Sequence, residues 1–97
     1  MASVEIKKSC LDDRKTEYEQ LKNELEQVEF KYYKVEFEED MYYRLKEKCS
    51  IRHREAFTEK YEAFEKRLHE LEKIKESLKG KLDILEREIE YIENLLQ

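Results

Sequence analysis

Residues 48–57 read Lys48-Cys49-Ser50-Ile51-Arg52-His53-Arg54-Glu55-Ala56-Phe57. This stretch decides the fold, because an apolar register arrives on one side of it and a different one leaves on the other. Upstream, a heptad in which a and d positions alternate three and four apart starts at Leu11. Its a positions are Leu11, Tyr18, Leu25, Tyr32, Glu39 and Lys46, and its d positions are Arg14, Leu21, Val28, Val35, Tyr42 and Cys49. Downstream, Phe57, Phe64, Leu71, Leu78, Leu85 and Ile92 occupy d, with Tyr61, Leu68, Lys75, Leu82, Ile89 and Leu96 at a. Continuing the first register would place d at Ala56, whereas the pattern wants Phe57, so one extra residue lies between Cys49 and Phe57.

Of the 24 a and d positions 20 are apolar, while the other 73 residues hold only 18 apolar side chains. So wide a contrast identifies buried helix and argues against the disorder that a charged fraction of 46% would otherwise suggest. Proline is absent and Gly80 is the only glycine, which disfavours sheets and glycine-loop folds. The fold class is therefore all-α: an elongated α-helical coiled coil.

The helix start is read at Ser9, with Asp12 three residues on as in a capping box and Asp12 and Asp13 near the positive end of the dipole. Residues 1–9 are then a flexible tail, and 10–97 form one coiled-coil domain with a register break at 49–57. An unbroken helix from 10 to 96 would be about 130 Å long.

Two architectures bury the stripe. In a parallel dimeric rod, the flanking pairs Glu17–Lys22, Lys31–Glu36, Lys60–Glu65, Arg67–Glu72 and Lys81–Glu86 attract, and Glu24–Glu29 and Glu88–Glu93 repel. In an antiparallel hairpin with its turn near 50–54, Leu11 meets Ile92, Tyr18 meets Leu85, Leu25 meets Leu78 and Tyr32 meets Leu71; two hairpins would make a four-helix bundle. The turn stretch has no Gly, Pro, Asn or Asp, so the sequence favours the rod. Cys49 at d would face its mate there, where an interchain disulfide could form under oxidation; a reduced, half-apolar thiol is the plainer reading. Lys75 in the stripe either sets register or reaches out to water along its stem.

Residues 28–45 are rich in aromatic and apolar side chains that the stripe does not use. Phe30, Tyr33, Phe37 and Met41 follow 3–4–4 spacing and form a second apolar stripe. A wider core, a docking site for a partner helix, and a strand built on the alternation of Val28, Phe30 and Tyr32 compete to explain it. The strand has no partner segment.

The 20 basic and 25 acidic side chains interleave, so no basic surface for nucleic acid stands out. No apolar run is long enough for a membrane, and no signal peptide or lipidation motif is present. Cys10 and Cys49 form neither a disulfide framework nor a metal motif, and no cofactor loop occurs. His53 and His69 stand 16 apart amid charge and suggest no catalysis. The expectation is a non-enzymatic coiled-coil scaffold without cofactor or metal, located in the cytoplasm, with the nucleus as the alternative. It dimerises through the a and d residues, binds a protein partner at Phe30, Tyr33, Phe37 and Met41, and uses neither nucleic acid nor membrane. The alternative role is a small hairpin chaperone or a subunit of a larger helical complex.

Overall fold

The computed structural model describes residues 3–97. It is all-helical, with α1 at Val4–Lys48 and α2 at Ile51–Leu96. None of the described residues forms a strand, so the alternation of Val28, Phe30 and Tyr32 is absorbed into α1. Its side chains simply fall on different sides of the helix.

Helix α1 starts six residues before the expected position. Ser3 caps it: its Oγ accepts the amide of Ile6 at 3.2 Å, and its carbonyl accepts the amide of Lys7 at 3.1 Å. Ser9 is helical and caps nothing, so the expected tail is helix from Val4 onward; residues 1 and 2 lie outside the described residues. The misreading has a physical cause. Ser9 and Asp12 have the spacing of a capping box but lie inside the helix, where Thr16 returns its hydroxyl to the Asp12 carbonyl at 3.0 Å, as mid-helix threonines do.

The unbroken helix from 10 to 96 does not form. It is interrupted at Cys49 and Ser50 alone. Helix α1 ends with Lys46 and Lys48 in its last turn, where positive charge suits the negative end of the dipole. The Cys49 thiol donates to the Lys46 carbonyl at 3.0 Å, and so satisfies one of the carbonyls a helix end leaves open. Helix α2 then opens with the His53 amide on the Ser50 carbonyl at 3.0 Å. No described residue has a positive φ. The connection therefore needs none of the left-handed conformations for which glycine is selected, and the absence of Gly and Pro does not prevent it.

The chain forms two compact units, one joining α1 up to Glu26 with α2 from Glu76, the other spanning Gln27–Lys75. Within the first unit, Arg14 Nε meets Glu88 Oε2 at 3.0 Å and Lys15 Nζ lies 3.9 Å from Glu93 Oε1. Within the second, the Tyr42 ring lies 5.8 Å from Phe57 and 5.3 Å from Phe64, and Tyr43 lies 5.7 Å from Tyr61. Within the second unit late residues of α1 meet early residues of α2, while Tyr32, earlier in α1, meets Lys75, later in α2, so the helices run antiparallel there.

All 24 a and d positions lie on the less exposed side of their helices. Full burial is confined to α2, at Leu71, Leu78, Leu85 and Lys75, and Leu71 is the most enclosed at 1% exposure. Positions on α1, including Leu11, Tyr18, Leu21, Leu25, Val28, Tyr32, Val35 and Tyr42, are half-buried. So are Phe57, Tyr61, Phe64, Leu68, Leu82, Ile89, Ile92 and Leu96 on α2. One helix laid on another covers a seam rather than enclosing a core.

Gly80 sits mid-helix in α2, exposed, with nothing within 4 Å of where a Cβ would stand. It therefore brings the backbone entropy cost of glycine with no steric return. Gly80→Ala is expected to raise the unfolding free energy by about 0.5–1 kcal/mol, measured as a higher urea midpoint at unchanged slope.

Candidate interaction surface

The second stripe of α1 belongs wholly to the Gln27–Lys75 unit. Helical spacing sets Phe30, Tyr33, Phe37 and Met41 on the side away from the a and d residues. They are 71%, 58%, 68% and 38% exposed. α2 does not cover them, so within one chain they are not a wider core. Four large apolar side chains on one stripe form a continuous wet apolar surface of the kind that binds something. The Tyr33 ring is held edge-on against Tyr32 at 5.6 Å, which anchors the middle of the stripe to a seam residue.

Beside the turn the same unit has an open groove of about 450 Å³, lined by Tyr42, Leu45, His53, Ala56, Phe57 and Lys60. Lys60 Nζ reaches the Tyr42 hydroxyl at 3.3 Å and lies 5.1 Å from its ring centre. Sequence reasoning missed this groove. Leu45 stood outside the stripe as a signal, but placing it beside Ala56 requires knowing where the chain turns. In the other unit Ile84, Tyr91 and Leu95 are exposed on α2 at spacings of seven and four, a smaller apolar face that the register reading also left out.

Three polar side chains occupy a positions in the Gln27–Lys75 unit, Glu39, Lys46 and Lys75, and two of them have distinctive surroundings. Lys75 is buried, with its ammonium 4.4 Å from the centre of the Tyr32 ring and 5.8 Å from that of Tyr33. Glu72 Oε2 stands 3.9 Å from the same nitrogen. The Lys75 amino group therefore lies in the seam between a tyrosine face and a carboxylate, with its stem adding apolar packing. Glu39 has no such support. One carboxylate oxygen is shut off from solvent and has no hydrogen-bond partner, although the residue as a whole is half-buried. Burial pushes its carboxyl above the ordinary glutamate range, and the nearby charges of Glu65, Glu36 and Asp40 push the same way. The charge of Glu39 in turn raises the Tyr61 hydroxyl, with burial, Glu65 and Tyr43 adding to it.

Cys10 and Cys49 are free and half-buried. Among the described residues, no group of three or more His, Cys, Asp or Glu is placed to hold a metal ion, and no helix is long and apolar enough to cross a membrane. The chain matches no protein-family model, no curated protein and no solved structure.

Glu39 makes stability depend on pH in a definite direction. Its folded pKa lies above its unfolded one, so ionisation opposes folding. The penalty is absent below the ordinary glutamate pKa and complete above the raised folded one. Glu39→Gln should therefore stabilise the protein at neutral pH, because it removes the charge that burial and the neighbouring acids oppose. The gain should vanish on acidification through the carboxylate range, followed by urea melts at several pH values. For Lys75, a double-mutant cycle with Lys75→Met and Tyr32→Leu should give a coupling of about 1 kcal/mol from the cation–π contact.

Proposed function

We propose that this protein is a non-enzymatic helical interaction module. It works as an antiparallel helical hairpin that holds the Phe30, Tyr33, Phe37 and Met41 stripe ready for a protein partner. The observation that carries the reading is the exposure of these four side chains on the outer face of α1. An apolar surface of this kind costs solubility, and a partner that covers it removes the cost. The mechanism is geometric: α2 packs on the inner face of α1, keeps it helical, and so presents the stripe at fixed spacing.

The contacts between α1 and α2 within each unit support the hairpin over the parallel rod, because pairs such as Tyr42–Phe64 and Tyr32–Lys75 occupy the same a and d seam that a parallel partner would need. Oligomerisation then proceeds through outer faces rather than through the seam. The roles of scaffold, small chaperone and subunit of a larger helical assembly all use such a surface. The interleaved charge supports a protein partner over nucleic acid. Two free thiols suit a reducing compartment such as the cytoplasm.

Tyr33→Glu combined with Phe37→Glu places two charges in the middle of the stripe without touching the seam. Partner binding, measured by quantitative co-purification, is expected to fall at least tenfold while circular dichroism stays unchanged. Binding intact in that variant assigns the interaction to another face.

A further inference from the structure

The outer stripe of α1 is symmetric about one residue. Tyr33 and Met41 stand four positions either side of Phe37, and Phe30 and Arg44 stand seven either side. Such a stripe superimposes on itself when a second copy of the helix is laid across it in the opposite direction. An isologous contact requires that self-complementarity: what i does to j, j does to i. Resting on the reading of this stripe as a docking surface, we infer that its occupant is a second copy of the chain. The two α1 helices pack antiparallel about a twofold axis at Phe37.

The pairings are chemically favourable through the contact. Phe37 meets Phe37 of the second copy on the axis. Tyr33 meets Met41, placing a thioether on an aromatic ring. Phe30 meets Arg44, whose side chain is 75% exposed, placing a guanidinium on an aromatic face. At the usual interaxial distance of 8–10 Å, the rim brings Lys34 beside Glu38 of the second copy and Glu29 beside Arg44. Asp40 comes near Glu36 of the second copy, a repulsion softened because Asp40 already holds Arg44 of its own helix at 3.0 Å. Each attractive pair and each repulsive one occurs twice, so attraction prevails on the rim. A parallel second copy would instead set Arg44 on Arg44 and lose the aromatic partner for that charge. Charge and shape together select the antiparallel arrangement.

Thiol trapping on the full chain, with Cys10→Ser and Cys49→Ser, tests the geometry. Under mild oxidation Phe37→Cys is expected to give a disulfide-linked dimer. Tyr33→Cys alone should stay monomeric on a non-reducing gel, and Tyr33→Cys with Met41→Cys, which keeps Phe37 in place, should link. In sedimentation the native chain should run at twice 12.0 kDa and Phe37→Glu at once that mass with helicity intact. Lys34→Glu should weaken the dimer roughly fivefold, and Glu38→Lys in the same chain should restore it. The inference is overturned by a native monomer, by a dimer that survives Phe37→Glu, or by Tyr33→Cys alone linking as readily as Phe37→Cys. A native monomer whose partner binding is abolished by the double glutamate variant refutes the second copy and leaves the docking surface standing. Binding that survives that variant refutes the docking surface itself.

Discussion

The structure depends on one constraint: an apolar stripe on a chain that is almost wholly helix has only another helix to lie against. A straight helix has no core of its own, so the stripe must be covered by a second stripe of matching period. In each unit α1 lies against α2, and the break at Cys49 and Ser50 separates the two helices. The one-residue shift in register belongs to this break. Each side keeps its own heptad, and the extra residue is taken up where neither needs to be continuous.

Covering one helix with only one other leaves a thin interior. Full burial is reached at three leucines and one lysine of α2, and nowhere on α1. A seam this open tolerates polar side chains that a closed core would reject. Lys75 and Glu39 show the two ways this works out. Lys75 finds a ring face and a carboxylate, so its charge is accommodated. Glu39 is opposed first by burial and then by the neighbouring acids, so its proton is held more firmly. The difference lies in the neighbours each side chain finds: the Tyr32 and Tyr33 rings of α1 and the Glu72 carboxylate for Lys75, and only further acids for Glu39.

The inward face was legible in the sequence, down to individual positions, because heptad spacing is a direct geometric consequence of the helix. Leu11 through Leu96, the a and d residues fall on the covered side, including the polar exceptions Arg14, Glu39, Lys46 and Lys75. The outer stripe was legible for the same reason, as spacing left over. Turn residues were an uninformative signature for the break between the helices. That signature belongs to left-handed backbone, and Cys49–Ser50 uses none. The start of α1 was misjudged because Ser9 with Asp12 has the spacing of a capping box, whereas Ser3, with Ile6 at that position, makes the capping bond. The groove beside the turn was illegible, since its walls come from both sides of a reversal the sequence did not favour.

A connection of two residues with ordinary dihedrals also sets the order in which contacts become affordable. Tyr42 and Phe57 are only 15 residues apart in the chain, whereas Arg14 and Glu88 are 74 apart. Closing the longer loop directly would cost about 1.4 kcal/mol more in chain entropy than closing the shorter one. Once the aromatic pair beside the reversal is made, each later pair closes only a small further loop. The helices are thus built to zip from the bend outward, and the aromatic residues concentrated between Tyr42 and Phe64 lie where such a zipper begins.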